Sequence, residues 1–283
     1  MHAKKVKLGP EIDLGLIARS TPTFSGADLE AIINEAALLA VMNDKSAVGM
    51  EELEESRDKV CWGRQKRSRV MDEDDKRITA YHEGGHALAA KLLPEVEPLH
   101  KVTIIPRGMT LGSTMQLPEK DRYHMLRKSL MGNIKVLLAG RVAEELFCDD
   151  ISAGASSDIA RATTLAHRMV CEWGMSDAMG PVSYNDAERY MLDNQEISKK
   201  TDRSEATAVA IDNEVKRIID ECFAVSKELL SANKETLGGI AEALLMYESL
   251  NAAEVDEILQ GKKPEDLRDL LLDDDIMDSE DEI

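Results

Sequence analysis

Aromatic residues are scarce: Phe, Trp and Tyr make up 4% of the 283 residues, whereas Ala, Leu, Glu, Asp and Met abound. Sandwiches and barrels draw on aromatic and β-branched side chains, so this balance favours packed helices. The four cysteines, Cys61, Cys148, Cys171 and Cys222, show no C-x-x-C pairing. They read as reduced thiols of a reducing intracellular compartment, filling core and not binding metal. No apolar run approaches the ~20 residues that cross a bilayer, and no signal-peptide core opens the chain, which is therefore expected to be soluble. A G-x-x-x-x-G-K-[ST] loop is missing, as is a hydrophobic strand ending in paired acids, so the chain is not expected to bind or hydrolyse ATP by itself. Net charge is −19 with no basic stripe, which argues against nucleic acid as a partner. From Pro264 onward ten acids face Arg268 alone. Residues 263–283 are accordingly expected to form an acidic, disordered tail.

What is present centres on His82-Glu83-Gly84-Gly85-His86. Residues four apart share one face of an α-helix, so two imidazoles at this spacing can reach one tetrahedral Zn²⁺ from consecutive turns. Glu83 can accept a proton from an attacking water and pass it to the departing amine of a peptide. Ile78, Tyr81, Gly85, Leu88, Ala89 and Leu92 recur at helical spacing, which puts the histidines on or beside a core-facing stripe. Gly84 and Gly85 should each cost about 0.5–1 kcal/mol relative to Ala, a penalty best explained by close approach of another backbone or a substrate.

A basic arm of ten residues precedes short, long and medium helices at Asp13–Arg19, Ala27–Asn43 and Met50–Trp62. Arg64 to Asp75 is charged and without apolar period, and reads as a linker before the histidine helix, which ends near Leu93-Pro94. Val102–Gly108 and Leu111–Leu117 form the one convincing β-hairpin, whose edge could hold a peptide in extended form. Further helices are expected over Arg122–Phe147, from a cap at Ser156 or Ser157 to about Trp173, and over Ser204–Leu230, Lys234–Tyr247 and Ala252–Gln260, the last capped by Asn251. A catalytic zinc needs a third protein ligand. Spacing alone offers the Glu144/Glu145 pair and Asp158, while His100, His124 and His167 lack partners at ligand spacing.

Ser20-Thr21-Pro22-Thr23-Phe24-Ser25-Gly26-Ala27-Asp28-Leu29, followed by Asn34-Glu35-Ala36-Ala37-Leu38-Leu39-Ala40, resembles the helical lid of an AAA+ ATPase. Together with His82–His86 and Ser152-Ala153-Gly154-Ala155-Ser156-Ser157-Asp158-Ile159, it resembles the FtsH family of ATP-dependent zinc metalloproteases over roughly residues 1–260. The resemblance implies a mainly α chain, with a small helical AAA+ lid subdomain over 1–63, a linker over 64–75 and an α-helical zinc peptidase domain with one short hairpin over 76–262. It implies His82, His86 and Asp158 as the ligands of one Zn²⁺ and Glu83 as catalytic base, with Glu145, from the pair that spacing offers, as reserve ligand. It further implies a homo-hexamer acting on unfolded or flexible polypeptides, with ATP and a membrane anchor only in a full-length protein at the cytoplasmic face of a bacterial inner membrane. This chain, whether truncated or naturally short, would cleave without ATP. A proteolytically inactive ring-assembly module is the alternative from another class, and a hydrolase of small peptides a third. The family commonly has Ala at Gly84, Gly at Ala139, and Thr at Ala153 and Cys171.

Overall fold

The computed structural model describes residues 2–10, 12–65, 71–108, 110–118, 124–148, 150–184, 187–192, 195–200 and 203–268. An amino-terminal bundle contains α1 (Leu14–Arg19), α2 (Gly26–Met42) and α3 (Met50–Trp62). Asp13 caps α1 through the Gly15 and Leu16 amides. Ser25 and Asp28 exchange side-chain and backbone bonds in a capping box that starts α2, which fixes where the Thr21–Ser25 turn yields to helix. The apolar faces of the three helices close over Ile17, Ile33, Ala36, Ala40, Val48 and Leu53.

The remaining chain packs around two long helices, α4 (Glu73–Leu92) and α5 (Arg127–Phe147). α4 starts with Asp72 as cap and three acids in its first turn, where the helix dipole favours negative charge. α4 thus begins inside the charged 64–75 stretch, of which residues 66–70 lie outside the described residues. α5 begins at Arg127, after an extended Leu126. It is buried on two sides: Val136, Ala139, Val142 and Ala143 join a core with α4 and α8 (Lys234–Tyr247). Leu130, Ile134 and Leu138 join a second with α6 (Ser156–Cys171) and α7 (Glu205–Ala232). A helix apolar on both sides belongs in the interior.

β1 (Leu99–Thr103) pairs antiparallel with β2 (Ser113–Gln116), with Val102 opposite Thr114; the expected hairpin forms, but its first strand lies earlier than the expected Val102–Gly108. A second hairpin, β3 (Ala187–Leu192) with β4 (Gln195–Lys200), is an addition to that reading. So is β5 (Ser249–Asn251), which pairs with the other side of β1 and makes the sheet order β2-β1-β5. Asn251 caps α9 (Ala252–Leu259) as expected, through the Ala253 and Glu254 amides. Most of the acidic tail, 269–283, lies outside the described residues. Its first residues include a 3-10 turn at Pro264–Asp266, after which Arg268 meets the Glu254 carboxylate at 2.7 Å and the Tyr247 ring at 4.8 Å.

The bundle meets the rest of the molecule through charge. Asp58 of α3, whose Oδ1 accepts from its neighbour Arg57 at 2.9 and 2.5 Å, has Oδ2 3.6 Å from the Lys101 ammonium of β1. Arg107, in the turn between β1 and β2, donates to both oxygens of Glu55 at 3.1 and 2.5 Å.

Candidate metal centre

His82, Glu83 and His86 lie in the middle of α4, and Asp158 lies in the first turn of α6. One full turn puts the two imidazoles edge to face, with centroids 4.7 Å apart. Their Nε2 atoms are 3.1 Å apart, and Asp158 Oδ2 lies 3.3 Å from that of His82 and 3.5 Å from that of His86. Ligands on a tetrahedral zinc with bonds of about 2.0–2.1 Å stand about 3.3 Å from one another. The triangle has the edges such a centre requires.

The other ring nitrogens fix the tautomers. His82 Nδ1 donates to Glu144 Oε1 at 2.7 Å, and His86 Nδ1 donates to the Val136 carbonyl at 2.7 Å. Both neutral rings therefore turn a lone pair toward Asp158, and three acceptors converge on one point. Such a cluster calls for a cation. Without a metal, a proton serves: burial would lower the His82 pKa, but Asp158 and Glu144, with the Glu83 charge near by, push it up to about 10. Burial alone would raise Asp158, yet its contacts with His82 and His86 hold it well below the usual carboxylate range.

Space is reserved as well. A Cβ at Gly140 on α5 would stand 2.7 Å from Nε2 of both His82 and His86. A Cβ at Gly85 would stand 2.6 Å from the Ala139 carbonyl oxygen, so this glycine lets α4 and α5 approach closely. Glu83 is 7% exposed. Burial raises its pKa, against the pull of His86, His82 and a 2.7 Å hydrogen bond from Thr114.

Two family models match the chain: one described as peptidase family M41 covers residues 69–258, and one described as AAA+ lid domain covers 11–55. The chain belongs to peptidase family M41. Similar curated proteins include the ATP-dependent zinc metalloprotease FtsH 2 of Methylacidiphilum infernorum, 48% identical, and FtsH 4 of Sorangium cellulosum, 49% identical. Each alignment covers 93% of this chain and 41% of the relative. The FtsH of Magnetococcus marinus is 46% identical over 94% of this chain and 39% of its own length. This M41 chain thus spans about two fifths of the curated relatives it matches, and carries a peptidase part together with an AAA+ lid.

Within the M41 domain, the expected reserve ligand Glu145 is a correction. It accepts from Arg141 at 3.4 Å and from Lys227 at 3.2 Å, outside the triangle. Neighbouring residues on a helix point about 100° apart, and it is Glu144, 1% exposed, that faces the site. Glu144 does more than orient His82: its Oε2 accepts the Ser152 amide at 2.9 Å, tying α5 to the loop that delivers Asp158. The expected serine cap of α6 is also replaced. Ser152 caps a 3-10 turn over Ala153–Ala155, and Ala155 precedes α6 without a side-chain bond. Asp158 is left free to turn its carboxylate to the imidazoles. Among the described residues, His100, His124 and His167 join no group of three donor side chains.

Proposed function

We propose that this M41 chain is a zinc metalloendopeptidase in which His82, His86 and Asp158 hold one Zn²⁺ and Glu83 is the general base. The observation that carries this reading is the triangle of Nε2, Nε2 and Oδ2 atoms with edges of 3.1, 3.3 and 3.5 Å. When bound, zinc supplies a Lewis acid that polarises the scissile carbonyl and acidifies water. Glu83 removes the proton of the attacking water and returns it to the leaving amine. Its burial raises the carboxylate's hold on that proton, which suits a group that must both take and give it. Glu144 and the Val136 carbonyl keep the imidazoles turned inward throughout.

The free side of β2, an edge strand, offers backbone partners to an extended peptide without demanding a sequence. We read residues 1–63 as the lid, 64–75 as linker, 76–262 as the peptidase domain and 263–283 as an acidic extension. A six-membered ring, a membrane anchor and ATP-driven unfolding are read as properties of a full-length protein, its peptidase facing the bacterial cytoplasm. The chain by itself should cleave unfolded polypeptides without ATP and spare folded ones.

The test is digestion of a casein-type substrate by the zinc-loaded chain. Internal fragments should appear, a chelator should stop them, and Glu83→Gln should keep one zinc per chain while losing about 100-fold or more in rate. Full activity in Glu83→Gln would remove the base, and absence of zinc would favour the ring-assembly role.

A further inference from the structure

Thr114 occupies an unexpected place for a polar side chain. It stands on β2 opposite Val102, a fully buried residue of β1. Cross-strand partners project to the same face of a sheet, and valine would fill this β-branched position with the same shape. What threonine adds is a hydroxyl. That hydroxyl donates to Glu83 Oε2 at 2.7 Å and lies 3.3 Å from the Glu83 carbonyl oxygen. Among the described residues, Thr114 is the one side chain that hydrogen-bonds the Glu83 carboxylate.

The terminal torsion of a glutamate is broad and roughly two-fold, so an unheld carboxylate presents either oxygen in a range of orientations. Here β2 holds one of the two oxygens. Oε2 is engaged by Thr114, and Gly112, two residues earlier on the chain, comes so near that a Cβ there would stand 2.8 Å from Glu83 Cγ and 2.9 Å from Oε1. The missing Cβ leaves the room that Cγ and Oε1 occupy, and the bond at Oε2 sets the plane of the carboxylate before substrate arrives; such preorganisation lowers the reorganisation needed in the transition state.

Resting on the proposed role of Glu83 as base, we propose that Thr114 is a positioning residue: its hydroxyl occupies Oε2, so that Oε1 is the oxygen that carries the proton. The methyl group packs as valine would, and the hydroxyl alone sets the carboxylate.

Thr114→Val and Thr114→Ser are compared with the parent chain, zinc-loaded, on an internally quenched unstructured peptide, with kcat and KM separated. Thr114→Val should lose about 10- to 100-fold in kcat with KM changed less than about twofold, as expected for removal of a hydrogen bond to a charged group felt in the transition state. Thr114→Ser should stay within about threefold of the parent. Zinc content should match in all three. In crystals of the zinc-free chains, the Glu83 carboxylate should be rotated or split in Thr114→Val and unmoved in Thr114→Ser. If Thr114→Val does not fold, Thr114→Ala deletes the same hydroxyl. The proposal is overturned if hydroxyl loss leaves kcat and the carboxylate unchanged, or if serine behaves like valine. Glu83→Gln in the same series separates the two levels: an active Glu83→Gln removes the base itself, whereas an inactive one beside an unimpaired Thr114→Val removes only the positioning role.

Discussion

Gly140 gives the residue scale its sharpest expectation. Its missing side chain would fall 2.7 Å from Nε2 of both His82 and His86, where the proposed metal is bound. In Gly140→Ala the imidazoles must swing away, and neither can do so without breaking its bond to Glu144 or to Val136. The variant should fold, since alanine favours helix over glycine by about 1 kcal/mol, yet bind zinc substoichiometrically. Metal analysis after dialysis checks this, and full occupancy in Gly140→Ala would show that the volume is not needed. Gly140 and Thr114 were both invisible in the sequence for one reason. Each acts across space on a residue over thirty or more intervening positions, and nothing local marks it. His82, Glu83 and His86 were legible because one helix carries them, so spacing alone implies geometry. Asp158 came from resemblance, and Glu144 was not separable from Glu145 because two acids side by side sit at the boundary between the buried and the polar sides of α5, where spacing does not say which turns inward.

At the scale of elements, the paired glycines of α4 behave oppositely. A Cβ at Gly84 would meet the tip of Leu237 at 3.3 Å, a flexible end that can yield, and would stand in ordinary contact with Ile240 at 3.5 Å. A Cβ at Gly85 would meet the Ala139 carbonyl at 2.6 Å and the Ala143 methyl at 2.7 Å, which are fixed parts of α5. Gly84→Ala should therefore stabilise the chain by about 0.5–1 kcal/mol through helix propensity. Gly85→Ala should destabilise it by about 1–3 kcal/mol by forcing α4 from α5. Thermal melts of the metal-free proteins decide, and equal shifts in the two variants would refute the close-packing argument. The long helices were readable from their periodicity, and their bounds moved by a few residues where caps competed. The strand β5 was not, being three residues long and paired with β1 about 150 positions away. Its place is set by α8 and α9 around it and by no pattern of its own.

Across the whole molecule, the seam between the lid bundle and the peptidase body is polar, unlike the cores on either side of it. Arg107 is 3% exposed and clamps both oxygens of Glu55, with Asp58 Oδ2 at 3.7 Å. Arg107→Met keeps most of the aliphatic packing and removes the clamp. Asp58 would still have Arg57 and Lys101, and Glu55, partly exposed, can be rehydrated, so no charge is stranded in the interior. The loss should be that of charged hydrogen bonds, about 1.5–3 kcal/mol, and it should fall on the seam alone. The Ile33 and Leu53 core of the bundle and the Leu88 and Ile240 core of the body are separate clusters. Hydrogen exchange should then show α2 and α3 losing protection while α4 and α5 keep theirs, with zinc content unchanged. Uniform loss across both halves would mean that lid and peptidase unfold as one unit, and unaltered exchange would mean that the clamp contributes nothing to holding them together.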